Sequence, residues 1–195
     1  MPKLFAVMGK SATGKDTIFQ RLLESSGLPL NKVIPYTTRP VREGEREGTE
    51  YHFVNEDKLN ELSCDGRIIE QRSYRTVHGI WTYFTADDGT MDLAHNDYVM
   101  ITTLAGYKGL LDYFGADAVY PVYIEVEDGV RLSRALERER RQKEPRYAEM
   151  CRRFLADEED FSEEALRRLG IGHRYHNIDL EHCIGQIIND ILKQL

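Results

Sequence analysis

The sequence predicts an α/β fold with a parallel sheet at its centre, on three observations. Short continuous apolar runs recur along the chain, each followed by a stretch with apolar residues three and four apart. The first run, Leu4-Phe5-Ala6-Val7-Met8, has no polar alternation, as expected of a strand covered on both faces. It passes directly into a glycine-containing loop and a helix, and strands alternating with helices close into right-handed crossovers. The composition agrees: the 195 residues are 41% hydrophobic and 30% charged, with a formal net charge of −7. A chain of this length buries about 70% of its unfolded surface and needs no staples. The acidic balance argues against generic nucleic-acid binding.

The elements follow in order. After the loop, Ile18, Leu22 and Leu23 lie at helical spacing. Residues 36–85 read as an inserted unit of short β-rich pieces (50–54, 67–70 and 80–84) with one helix near 57–62. Further buried strands are expected at 98–104 and 122–126, followed by helices at 107–114 and 130–141. Pro121 belongs at the start of its strand, because a central proline loses a ladder hydrogen bond. A last strand near 174–178 precedes a helix carrying Ile184, Ile187, Ile188, Ile191 and Leu192. The stretch 134–153 stands apart by charge: eight Arg and Lys face four Glu, and the acidic run Asp157-Glu158-Glu159-Asp160 follows. The expected division is a core (1–35, 86–133 and 170–195), an inserted unit (36–85) and a basic region (134–169).

No apolar run approaches the roughly 18–20 residues of a membrane span. The start lacks a basic segment followed by a long apolar stretch, so the expected setting is the cytoplasm. Cys64, Cys151 and Cys183 form no CxxC pair, which gives neither a zinc ribbon nor a disulfide framework. Cys151 reads as structural, Trp81, Tyr83 and Phe84 as core, and His173 with His176 as too few ligands for a metal.

Gly9-Lys10-Ser11-Ala12-Thr13-Gly14-Lys15 between strand and helix is a phosphate-binding loop pattern. Its glycines turn backbone N–H groups inward, the helix start adds partial positive charge, and Lys15 reaches the terminal phosphates of a nucleoside triphosphate. Residues 9–17 are the candidate ATP contacts. The usual residue after the lysine is Ser or Thr, whose hydroxyl meets Mg²⁺; here it is Asp16, followed by Thr17. Asp16 reads either as a hard oxygen ligand for Mg²⁺ or as a helix cap.

The segment from Thr37 to Val54 holds Arg39 and Arg42 three apart, Gly44 and Gly48, and Tyr51. Two guanidinium forks and a phenol make a cradle for one phosphate. This segment resembles the guanylate kinase signature T-T-R-x-x-R-x-G-E-x-x-G-x-x-Y-x-F, and the loop, inserted unit and later arginines keep that family's order. The resemblance implies a P-loop kinase fold whose basic lid closes over the site, and phosphoryl transfer from Mg²⁺-ATP to GMP. It assigns Arg39, Arg42 and Tyr51 to the acceptor phosphate and Glu70 to the guanine N1 and N2 hydrogens. Arg134, Arg138 and Arg153 become, with Lys15, the groups that stabilise the transferred phosphoryl. Asn177 falls beside the adenine, and His78 and Thr103 fall among the acceptor contacts.

The departures cluster where the base is read. Pro35 stands where the family has a serine, Ile80 where it has a hydroxyl residue, and Ile101 and Thr103 where it has aspartates. Two alternatives stay open: a kinase for ribose 1,5-bisphosphate or another phosphorylated acceptor, which also resembles this sequence through Asp16, and a non-catalytic phosphopeptide-binding module.

Overall fold

The structure, a computed structural model, describes residues 3–42, 44–76 and 79–195. Its first sheet is fully parallel. It contains β1 (Leu4–Met8), β2 (Leu30–Lys32), β7 (Asp97–Ile101), β8 (Val119–Glu125) and β9 (Tyr175–His176), ordered β2-β7-β1-β8-β9. β1 is central and buried throughout, which explains its unbroken apolar run. Side chains alternate across a strand, so its odd and even residues face opposite layers. Phe5 and Val7 pack with α1 (Lys15–Glu24) and α7 (Leu180–Leu192) through Ile18, Leu22, Ile184 and Ile187. Leu4, Ala6 and Met8 pack with α3 (Leu104–Phe114) through Leu104, Tyr107 and Leu110.

Pro121 corrects the sequence reading: it lies inside β8, opposite Ala6, rather than at the strand's start. The Leu4 N–H donates to the Ala118 carbonyl, so residues 118, 120 and 122 face β1 and Pro121 faces the other side. On that side β9 pairs only with Ile124 and Glu125. The missing N–H therefore falls where no neighbouring strand reaches.

The second sheet is mixed, ordered β4-β3-β6-β5, from β3 (Tyr36–Thr37), β4 (His52–Phe53), β5 (Ile68–Thr76) and β6 (Gly79–Ala86). β3 runs parallel to β4, while β6 is antiparallel to both β3 and β5. α2 (Glu56–Cys64), capped by the Asn55 side chain, lays Leu59 and Leu62 against Phe84 and Ala86. β5 and β6 are longer than the apolar patches at 67–70 and 80–84. Their outer halves carry polar residues such as Gln71, Ser73 and Arg75, so apolar periodicity does not mark them.

The basic region forms α4 (Asp128–Arg140) and α5 (Tyr147–Asp160), with α6 (Glu163–Arg168) after them. Cys151 is exposed, which corrects its reading as a structural residue. Among the described residues no helix is long and apolar enough to cross a membrane.

Candidate active site

The loop of residues 9–14 lies at the carboxyl end of β1, in the crevice where open parallel sheets place ligands. Gly14 is the N-cap of α1 with φ 86°, and no side chain caps the helix. The helix therefore begins with N–H groups left for an anion. This removes the cap reading of Asp16, which stands exposed in the first turn beside Lys15. Ala12 adopts φ 64°, a left-handed conformation that costs a non-glycine residue about 1–2 kcal/mol. Such strain concentrates at functional loops.

The loop is braced from three directions. The Asn177 side-chain amide donates to the Thr13 carbonyl at 2.8 Å, and a methyl group at Gly14 would crowd it. Thr13 is buried and its hydroxyl donates to the Lys10 carbonyl at 2.9 Å. On the third side Ser11 is held through both backbone groups. Its N–H donates to Asp157 Oδ2 at 2.6 Å, and its carbonyl accepts from Arg131 Nε at 3.1 Å. Arg131 is fully buried, lies over the Phe154 ring, and also donates to Asp128, Asp157 and Glu158. Lys10 turns to Glu158 at 2.6 Å, so its charge is held by α5. Burial raises the Glu158 pKa, but the hydrogen bonds from Lys10 and Arg131 outweigh it and leave the net shift downward.

Of the three basic-region arginines, Arg134 reaches this part of the structure: its Nη2 donates to the Asn177 carbonyl at 3.3 Å. Arg138 is exposed on α4, and Arg153 pairs with Glu149 at 3.5 Å. A cavity of about 620 Å³ opens beside the loop, yet Glu125, Glu127, Asp128, Glu158 and Glu163 line it. Carboxylates of that density do not suit a polyphosphate, so the cavity is not assigned to nucleotide. His173 and His176 each meet one carboxylate, and no three potential metal ligands cluster among the described residues.

The candidate cradle residues lie between β3 and β4 of the second sheet. Arg39 is 3% exposed and makes a two-point ion pair with Glu45, both contacts at 2.9 Å. Its guanidinium stacks near the rings of Tyr51 and Phe53. The Arg39 hydrogen bond lowers the Glu45 pKa, and burial raises that of Tyr51. Arg42 is exposed, 6.0 Å from the Trp81 ring. Phe84 is core as expected, whereas Trp81 and Tyr83 are only half-buried and stand by the cradle. His78 lies outside the described residues.

Glu70 and Arg72 share one face of β5. Glu70 Oε1 accepts from Thr85 Oγ1 at 2.8 Å and from Arg72 Nη2 at 3.2 Å. Arg72 Nη1 donates to Thr103 Oγ1 at 2.7 Å, and Thr103 is the N-cap of α3. The Thr102 N–H donates to the Val7 carbonyl, which sets this cluster one strand from the loop at the end of β1. Sequence reasoning found Glu70 and Thr103 but missed Arg72, Arg131, Asp157 and Glu158. One legible signal was the pair Gly106 and Gly109, unusual in a helix and needed where α3 meets β5.

Comparisons with known proteins find similarity to guanylate kinases. The guanylate kinase family model matches residues 1–81, which hold both the loop and the cradle. The guanylate kinase of Neisseria gonorrhoeae is 36% identical over 99 residues, covering 50% of this chain and 45% of that protein. That of Schizosaccharomyces pombe is 37% identical over 68 residues, covering 35% and 34%. The chain thus spans about half the length of these curated relatives or less. A crystal structure of guanylate kinase from Anaplasma phagocytophilum superposes with a TM-score of 0.70 at 18% identity, covering 99% of this chain and 86% of that one. The chain is similar to guanylate kinases in sequence over residues 1–81 and in fold over nearly its whole length.

Proposed function

We propose that this protein is an ATP-dependent kinase that transfers a phosphoryl group to a nucleoside monophosphate, with GMP as the favoured acceptor. The observation that carries the reading is the Arg72–Thr103 hydrogen bond. It ties the second sheet to the carboxyl end of β7, beside the uncapped loop at the end of β1. The candidate donor and acceptor sites then lie at neighbouring strand ends. The division into core, acceptor-binding unit and lid belongs to the same proposal, and the match of residues 1–81 to the guanylate kinase family model supports it.

The loop N–H groups and Lys15 hold the β- and γ-phosphates of ATP, and Asn177 keeps the loop in shape. Arg39, Arg42 and Tyr51 hold the acceptor phosphate, and Glu70 faces the base. Arg134, Arg138 and Arg153 complete the site when the lid closes and spread positive charge over the transferred group. Positioning and electrostatics carry such a step, and closure excludes the water that would otherwise hydrolyse ATP. Mg²⁺ fits the residues present. It needs only one or two carboxylates besides the phosphates, and Asp16 offers one exposed oxygen donor in the first turn of α1. When bound, the ion neutralises phosphate charge.

ADP release from Mg²⁺-ATP, measured with GMP and in parallel with ribose 1,5-bisphosphate, tests the reading. Turnover with GMP supports it. Turnover with the sugar alone replaces the acceptor while keeping the kinase. No ATP binding, with phosphopeptide binding retained, refutes catalysis altogether.

A further inference from the structure

Three polar atoms of the cluster between β5 and α3 have no hydrogen-bond partner among the described residues: Glu70 Oε2, Arg72 Nε and Thr102 Oγ1. Glu70 is 6% exposed and Thr102 4% exposed, so water does not reach them freely. Arg72 Nε and Glu70 Oε2 are 3.0 Å apart, close enough for an ion pair but misaligned for a hydrogen bond. A buried polar group left unpaired costs about 1–3 kcal/mol.

The cluster is also built to exist. Gly106 and Gly109 lie three apart on one face of α3. A methyl group at 106 would overlap the Thr102 hydroxyl and stand 3.1 Å from Arg72 Nη1. A methyl group at 109 would overlap Glu70 Cβ. The two glycines let the helix approach β5 closely enough to bury a carboxylate and a guanidinium together. Replacing such a pair by apolar side chains is often neutral for stability, so stability alone does not explain it.

The free atoms define what fits. An anionic headgroup such as a second phosphate would meet the Glu70 charge. An edge of two N–H donors, as on guanine N1 and N2, requires both Glu70 oxygens. Oε1 already accepts from Thr85 and Arg72, which fills its two lone pairs. Thr102 Oγ1 is packed against Gly106 of α3, so between Arg72 and Glu70 one donor and one acceptor remain: an Arg72 N–H and Glu70 Oε2. A lactam, with a carbonyl beside an N–H, complements that pair.

We propose that Arg72 and Glu70 together read the lactam edge of a 6-oxopurine nucleotide, Arg72 donating to O6 and Glu70 accepting from N1–H, and that the exocyclic 2-amino group is not read. Arg72 is then the specificity-determining residue. It supplies the donor that neither Pro35 nor Ile80 can offer, since neither side chain carries a polar atom. The inference rests on the kinase reading and deepens it.

The experiment measures kcat/KM for GMP, IMP and AMP on the unaltered protein and on Arg72→Ala, with the KM for ATP as the folding control. The expected result is IMP within about tenfold of GMP, because no contact to the 2-amino group is lost, and AMP lower by about 10⁴-fold, because its edge reverses donor and acceptor. Arg72→Ala should raise the GMP KM about tenfold or more, the value of one charge-assisted hydrogen bond, while the ATP KM stays unchanged. Strong GMP turnover with IMP a hundredfold or more weaker would overturn the lactam reading and leave the kinase standing. An unchanged GMP KM in Arg72→Ala would do the same. ATP binding without transfer to any nucleotide would overturn both. If Arg72→Ala fails to fold, the GMP to IMP ratio of the unaltered protein still decides.

Discussion

Replacing Arg131 by Met removes a charge while keeping most of the stem that packs on Phe154. The magnitude follows from what is left behind. Breaking a buried ion pair costs about 3–5 kcal/mol when the partner stays buried and unpaired. Here the partners differ. Asp128 and Glu158 are 51% and 37% exposed, so water compensates them in part, and Glu158 keeps Lys10. Asp157 is 16% exposed and among the described residues keeps the Ser11 N–H, while the Ser11 carbonyl loses its donor. The loss therefore falls at or below the lower limit of that range, about 2–3 kcal/mol. For a chain of this size each kcal/mol moves Tm by about 2–4 °C, giving a fall of about 4–12 °C. Thermal and urea unfolding at pH 7 measure it. Pairing Arg131→Met with Asp157→Asn in a double-mutant cycle should return a coupling of at least about 1 kcal/mol. Because both clamped groups belong to Ser11, ATP affinity should fall in the same variant. A stability change under about 0.5 kcal/mol, or additive single variants, would refute the claim that Arg131 and Asp157 clamp the loop.

The sheet and loop were legible because both rest on local patterns. β1 is buried on both faces and shows it as an unbroken apolar run, and the glycines of the loop sit at fixed spacing. Arg131 was not legible, because an arginine three residues after Asp128 in an amphipathic helix looks like a solvated face. Its burial is decided by Asp157 and Phe154 on α5; Asp157 is 26 residues away in the chain. Arg72 was hidden for the same reason. Between Gln71 and Ser73 it reads as an exposed strand residue, and only the approach of α3 buries its head. The proline in β8 misled because the rule concerns a hydrogen bond to a neighbour, and the short β9 leaves that side bare.

Three further outcomes follow from the site. Arg39→Ala removes a buried two-point pair with Glu45 and should raise the acceptor KM at least tenfold, about the value of a charge-assisted contact, while ATP affinity holds. Equal loss of both would refute its assignment to the acceptor. Glu45, lowered by its Arg39 hydrogen bond, and Glu158, lowered by Lys10 and Arg131 against its burial, both titrate below the ordinary glutamate value of 4.5. Their stabilisation is complete above that value and is lost as pH falls below it, so acid unfolding should be less steep in Glu45→Gln. An unchanged acid limb would remove Glu45 from the linkage. Asp16→Ser restores the hydroxyl common at this position and tests the metal directly. If Asp16 meets Mg²⁺, the serine, a neutral ligand, should bind the ion less tightly in the ATP complex. The Mg²⁺ concentration for half-maximal activity should then rise while maximal activity stays measurable. If Asp16 only adds negative charge beside the phosphates, the same variant should bind ATP more tightly without Mg²⁺ and leave the Mg²⁺ midpoint unmoved. The two outcomes differ in the Mg²⁺ midpoint, which rises only if Asp16 is a ligand, so one titration pair separates a ligand from a repulsive bystander.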